Sequence, residues 1–283
     1  MAGSIRIFSG NLCWGRASSE ALVELIRKHR IDVFAAQELG FDNAEAISSE
    51  LPHGLLEPHE DFMGMGIASR APVETSRIPL PHRDARRAQL TPADWPGLEQ
   101  PVCLVNVHFQ APHAMQPFPS LWLRRRQVQT LEAFLLANPS EARCVVGDYN
   151  ATPAWPLYRR MRRHLEDAAV HAARREGRPV RPTWGPRAES RRLLRIDHAL
   201  VRGLEIESFQ VVDIPGSDHS GILFECAPRP ALAGAADAIV DAADAVDSAD
   251  AADAADAARP AAATSAAAAT AVATPETEGA PAA

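Results

Sequence analysis

"VVGDYNATPAW", residues 145–155, sets two β-branched residues against a Gly-Asp-x-Asn turn and follows it with a Thr-Pro that can open a helix. A carboxylate and a carboxamide stand two residues apart where a buried strand runs out. Alone, such a turn reads as an ordinary Asx turn, whose side chain bonds its own backbone. The arrangement recurs, however. Apolar runs end on an acid, amide or imidazole at Asn11, Glu38, His108, Asp148 with Asn150, Asp197, and Asp218 with His219. Strand ends are where a rigid sheet aims side chains from its loops, so this set marks a candidate site.

Around these ends the pattern is mixed α/β. "SIRIFSGNL", "IDVFAAQE", "MGMGIASR", "PVETSRIPL", "VCLVNVHFQ", "RCVVGDYN", "RIDHALV", "EIESFQVV" and "HSGILFECA" read as strands. "SSEALVELIRKHR" reads as a helix capped by its Ser pair, and "DNAEAISSEL" as one opened by a capping box of Asp42 and Glu45. "LWLRRRQVQTLEAFLLA" is the clearest helix, with Leu121, Val128, Leu131 and Leu135 near one face and the arginines opposite; a basic helix follows around "LYRRMRRHL". Residues 79–101, rich in Pro, Arg and Asp, read as an excursion between two strands.

The chain divides into a domain over residues 1–228 and an Ala/Asp/Pro-rich tail over 229–283 that holds too few large side chains to pack and is expected to be disordered. Asp241, Asp244, Asp247, Asp250, Asp253 and Asp256 recur every third position, a stripe that drifts around a helix of 3.6 residues per turn. Residues 230–283 carry seven Asp, two Glu and one Arg, a net −8 within the chain's −7, which leaves +1 on residues 1–229. A nearly neutral body lacks the strong positive charge of a protein that grips long duplex DNA through many phosphates. Cys13, Cys103, Cys144 and Cys226 sit in apolar runs without metal-finger spacing and are expected to be buried free thiols. The N-terminus lacks a charged and then apolar leader, and no stretch approaches a membrane span, so a cytoplasmic protein is the default expectation.

Each fragment is weak by itself: His108 suits a satisfied strand histidine, "SDH" a turn and "RIDH" a surface pair. Their order carries more. "SGNLCW", "QE", "NVHFQ", "GDYNATP", "RIDHALV" and "GSDHS" succeed one another, each closing an apolar run, and from Ile5 to about Cys226 the chain resembles the endonuclease/exonuclease/phosphatase superfamily of metal-dependent phosphoesterases. The resemblance implies a four-layered α/β sandwich, two packed and mainly antiparallel sheets with outer helices, whose catalytic groups converge at one edge. It also implies a divalent cation, Mg²⁺ or Mn²⁺, on Glu38 and Asp218, with Asn11 binding metal or phosphate. By the same resemblance Asp148 orients water or holds a second metal, Asn150 donates to a phosphate oxygen, Asp197 and His219 form an imidazole–carboxylate pair, and His108 donates to phosphate or leaving group.

The chemistry asks for such residues. Phosphate-ester cleavage needs charge neutralised, water oriented for in-line attack and a leaving oxygen stabilised; Mg²⁺ on one or two carboxylates meets the first need. His198 faces away from Asp197 along the strand and is left out, and the "NAT" sequon is discounted because a Pro follows and a glycan on Asn150 would block the site. The expected partner is a phosphate-ester substrate: a nucleic acid, or a small or lipid-linked phosphate; no partner protein is evident. "RPTWGP", "RIDHALV" and "DIPGSDHSGI" are similar to a bacterial branch with membrane-anchored phosphatases, from which this chain departs by having no membrane segment. Trp184 and the loop with Phe118 and Trp122 suit either a substrate wall or packing, and Arg124–Arg126 and Arg159–Arg163 suit either polyanion guidance or solvated helix faces.

Overall fold

The structure, a computed structural model, describes residues 3–113 and 117–229. The tail's aspartate repeat and the Phe118 side chain lie outside the described residues. Among the described residues the chain runs through β1 (Ile5–Asn11), α1 (Ser19–His29), β2 (Val33–Gln37), α2 (Phe41–Glu50), β3 (His53–Glu57), β4 (Met65–Ser69), β5 (Glu74–Ile78), β6 (Ala85–Leu90), β7 (Val102–His108), α3 (Pro117–Ala137), β8 (Ala142–Asp148), α4 (Pro156–Met161), β9 (Glu166–Asp167), α5 (Ala168–Glu176), β10 (Asp197–Arg202), β11 (Leu204–Asp213) and β12 (Ser220–Pro228).

Two six-stranded sheets form, in the orders β11-β12-β1-β2-β4-β3 and β5-β6-β7-β8-β10-β9. The pairs β1–β2 and β7–β8 are parallel and their other neighbours antiparallel. The central strands are apolar on both faces, and the period of two sorts their residues into layers. Ile5, Ile7, Val33, Ala35, Val102, Leu104, Cys144, Val146, Ala199 and Val201 fill the space between the sheets. Phe8, Phe34 and Ala36 face outward with Leu22, Leu25 and Ile26 of α1 and Ile47 of α2. On the far side Val105, Val107 and Val145 pack with Val128, Leu131 and Leu135 of α3. Helices, sheet, sheet and helices make the four-layered α/β sandwich that the resemblance implied.

Local details differ from the sequence reading. Residues 79–101 contain a full strand, β6, whose arginines in "ARRAQL" mask its alternation. The exposed edge strand β3 and the Ala-rich α5 were also not predicted. α2 starts at Phe41 after Gly40, with no side-chain cap, so Asp42 and Glu45 form no capping box; Ser18 does cap α1, accepting from Ala21 N at 3.2 Å. On α3 Arg124 is buried while Leu121 is half exposed, since 124, 128, 131 and 135 share the inward face. Cys103, Cys144 and Cys226 are buried free thiols as expected, but Cys13 is only partly buried because it sits in a turn after β1. No helix among the described residues is long and apolar enough to cross a membrane.

Candidate active site

The inward rows that build the core also build the site. Ile5, Ile7 and Ser9 lead to Asn11; Val102, Leu104 and Asn106 lead to His108; Cys144 and Val146 lead to Asp148; and Ala199 runs back to Asp197. Register lines these ends up. His108 pairs with Asp148 across β7–β8, and Asp148 with Asp197 across β8–β10, while Asn11 pairs with Gln37 on the facing sheet. Beneath the row the sheets are stitched together: Gln37 Nε2 donates to Asn106 Oδ1 at 2.6 Å, and Asn106 Nδ2 to the carbonyls of Ala36 and Gly66 at 2.9 Å. Glu38 follows Gln37 and by alternation belongs on the other face. Its φ of 51° turns it back, and its carboxylate accepts from Asn11 Nδ2 at 3.1 Å and Trp14 N at 3.0 Å.

Asn11 Nδ2 also donates to Asp148 Oδ2 at 3.1 Å, joining the two sheets, and Asn11 Oδ1 accepts from Cys13 N. Asn11 Nδ2 thus bridges the Glu38 and Asp148 carboxylates, while its Oδ1 is held by the turn after β1. Asp148 is further held by Asn150, whose N donates to Oδ1 at 2.7 Å and whose Nδ2 donates to Oδ2 at 3.1 Å and to Phe109 O at 3.0 Å. Both Asn150 amide hydrogens are thus engaged on protein acceptors. The opening stretch gains its reason: Asn150, at φ 47°, locks the carboxylate two residues before it. Gly147 serves the same turn, with φ 135° and a position where a Cβ would meet Val107 O at 1.9 Å.

His219 Nδ1 lies 2.9 Å from Asp197 Oδ2, which leaves Nε2 facing Asp148 Oδ2 at 3.9 Å. His108 Nε2 faces the same Asp148 oxygen at 3.5 Å and Glu38 Oε1 at 3.6 Å. Asp218 accepts from Trp184 Nε1 at 3.0 Å, so Trp184, read from sequence as a wall or a packing residue, holds a site carboxylate. Seven of the eight candidate residues form one contact network, and Asp218 borders it through Cys13 and His219.

Burial sets the electrostatics. It pushes Asp148 up to about 7, with Asp197 and Glu38 adding to the rise against His219 and the Asn150 amide. Burial likewise raises Glu38. For His219 burial acts downward, but Asp197 and Asp148 override it and raise the imidazole to about 10. Burial, then Arg83 and His219, holds His108 well below its ordinary value. One imidazolium and one neutral imidazole thus flank Asp148 at neutral pH.

Two arginines escaped the sequence reading. Arg83 is 6% exposed, places Nη1 3.4 Å from His108 O, and is attracted by Glu38 and Asp148. Its only sequence signal was a basic "HRDARR" in an apparent loop. Arg124 donates to the carbonyls of Gln110 and Asn150, tying α3 to the loops after β7 and β8; Gln127 on the same helix accepts from Gln110 N at 3.0 Å. Arg124→Lys keeps the charge but cannot span both carbonyls, and is expected to cost roughly 1–2 kcal/mol of stability, measured by urea unfolding. Trp122, by contrast, is exposed beneath Arg126.

A divalent cation fits this donor set. Buried carboxylates crowd together, and Cys13, pushed up to about 11 by burial, offers no thiolate, so the available donors are the oxygens that hard cations prefer. Asp148, Asp197 and His219 offer ligand atoms within 4.8 Å of one another, although Asp197 is already committed to His219.

A sequence model described as the Endonuclease/Exonuclease/phosphatase family matches residues 8–219, three quarters of the chain. The chain belongs to this family. It is thereby a hydrolase of phosphate esters, in a superfamily that depends on divalent metals. No curated protein matches the sequence. Among solved structures, a family member from Bacteroides vulgatus is similar at TM-score 0.64 and 17% identity, covering 80% of this chain and 100% of its own. TDP2 from D. rerio, complexed with a single-strand DNA product, is similar at TM-score 0.60 and 17% identity, covering 79% and 99%. A mannosyl-6-phosphatase from Bacteroides thetaiotaomicron is similar at TM-score 0.60 and 14% identity, covering 78% and 99%. At such identities these likenesses show the shared fold.

Proposed function

We propose that the protein is a Mg²⁺-dependent phosphodiesterase, a nuclease, that works by in-line attack of water, with Mn²⁺ able to replace Mg²⁺. Glu38 and Asp218 would hold the cation, which when bound neutralises phosphate charge and lowers the pKa of a bound water. Asp148, braced by Asn11 and Asn150, orients the attacking water. Asp197 fixes the ring of His219 through Nδ1, so that Nε2 meets a phosphate oxygen. His108, on the other side of Asp148, donates to the phosphate or the leaving oxygen.

The observation that carries the diester reading is the charge balance. Four carboxyl groups, Glu38, Asp148, Asp197 and Asp218, converge where His219, Arg83 and Arg124 are the cations that meet them. A phosphodiester brings one negative charge and a monoester close to two, so the diester is the lighter load for such a site. A phosphomonoesterase or pyrophosphatase for a small or lipid-linked phosphate is the second reading, supported by the +1 charge of residues 1–229 and by the mannosyl-6-phosphatase of the same fold. A noncatalytic binding module is disfavoured because no signature position is vacant.

The test incubates the protein with Mg²⁺ or Mn²⁺ and plasmid DNA, single-stranded DNA, RNA, phosphate monoesters or pyrophosphates, with Asp218→Ala as the blank. Strand cleavage lost in the variant supports the nuclease. Phosphate release without strand cleavage puts the second reading in its place. Deleting residues 230–283 is expected to leave the rate on a small substrate within about twofold, because no candidate site residue lies there; a stopped assay on both forms measures it.

A further inference from the structure

Trp14 is 53% exposed and sits at φ 59°, a left-handed conformation that a bulky residue rarely adopts. The conformation is enforced from the site side. Leu12 N donates to Gln37 O at 2.8 Å, Trp14 N to Glu38 Oε2 at 3.0 Å, and Gly15 N to Glu38 O at 2.9 Å. Gly15 and Gly40 approach so closely that a Cβ on either would lie 2.8 Å from the other's Cα. The turn after β1 is therefore clamped onto the loop that carries Glu38, and the clamp holds an indole out at the rim. That indole is not alone. Its centroid lies 5.8 Å from the Phe62 ring at 50°, the Arg16 guanidinium is 5.7 Å from the indole centroid, and the Arg83 guanidinium is 5.2 Å from Phe62.

We propose that Trp14 and Phe62 form a stacking subsite for a nucleobase of the substrate, next to the phosphate seat at Glu38. The inference rests on the phosphodiesterase reading and names the group that distinguishes its substrate. The indole stays half exposed although Phe62 and Arg16 already lie against it, and a flat π-system laid on its open surface uses that exposure. Arg16 lies over the indole ring and brings positive charge to the subsite, suited to the phosphate of an adjoining nucleotide. A sugar ring needs partners for its hydroxyls, and two ring faces offer none.

The test uses the full-length protein with Mg²⁺ and two esters that share a leaving group, thymidine 5′-(p-nitrophenyl phosphate) and methyl p-nitrophenyl phosphate. Stacking on one aromatic ring corresponds to roughly five- to hundredfold in affinity. Trp14→Ala is expected to lower kcat/KM for the thymidine ester about tenfold or more, chiefly through KM, with a much smaller loss on the methyl ester. Trp14→Phe restores most of the loss. As a readout free of turnover, thymidine 5′-monophosphate quenches tryptophan emission saturably, Trp14→Ala loses the saturable part, and ribose 5-phosphate does not reproduce it. Equal losses on both esters, no loss on either, or quenching indifferent to Trp14 overturns the proposal. If neither ester turns over but Trp14-dependent quenching persists, the phosphodiesterase reading fails and the base-stacking subsite stands.

Discussion

Glu38→Ala is expected to lower metal-dependent kcat roughly a thousandfold while leaving the folded state as stable as before, or more so. The loss follows from the charge stabilisation a cation supplies, several kcal/mol of barrier, once one of its two proposed carboxylates is gone. The retained stability follows from the surroundings. Burial opposes the charge on Glu38, and Glu38 in turn raises Asp148, so its removal relieves a repulsion between buried acids. Asn11 Nδ2 keeps Asp148 as a partner, and Trp14 N lies where water can replace the lost acceptor. Alanine adds no backbone strain at φ 51°, since glutamate already bears the Cβ. The check is kcat at saturating Mg²⁺, urea unfolding of both forms, and Mn²⁺ binding by calorimetry. Wild-type turnover in the variant would remove Glu38 from the cation's ligands.

The contrast between Glu38 and its neighbours shows what the sequence could reveal. Asn11, His108, Asp148 and Asp197 were legible because each ends a row of alternating core residues, and alternation is a one-dimensional signal. That Glu38 joins them depends on a single left-handed residue, which no periodicity encodes; the order of the motifs supplied it instead. Arg83 was illegible for a related reason. It precedes β6, a strand with arginines at two of its six positions, and its relation to His108 exists only through the pairing of β6 with β7. Arg124 was assigned to the wrong face because polar residues on helices are expected outward. The side chain is instead satisfied by two loop carbonyls that come from different parts of the chain. Trp184 was left open between a substrate wall and a packing residue, because a hydrogen bond to Asp218 across 34 positions of sequence cannot be read from either residue.

His198 lies on the strand next to Asp197 and faces the other way, and its expected effect is on stability rather than turnover. Its Nε2 donates to Ala151 O at 2.8 Å, its ring packs against Tyr149 and Tyr158, and Nδ1 has no partner. Protonation would put a charge and an unmatched donor into this packed site, so burial, reinforced by Arg195, lowers the imidazole from 6.5 to about 4. Between those values the unfolded chain binds the proton and the folded chain does not. Stability from this residue is therefore complete above about pH 6.5 and falls as pH drops toward 4, by about 3 kcal/mol in all. Asp148 acts in the opposite sense, because a carboxyl raised by folding gains stability as pH falls, so the wild-type curve alone mixes the two. His198→Gln separates them, since its amide nitrogen can keep the bond to Ala151 O and does not titrate. Urea midpoints measured from pH 7.5 to pH 4.5 are expected to diverge, with the variant losing less stability on acidification than the wild type. Parallel curves would mean that His198 takes up its proton inside the fold at little cost, and the packing of this histidine against the two tyrosines would need another account.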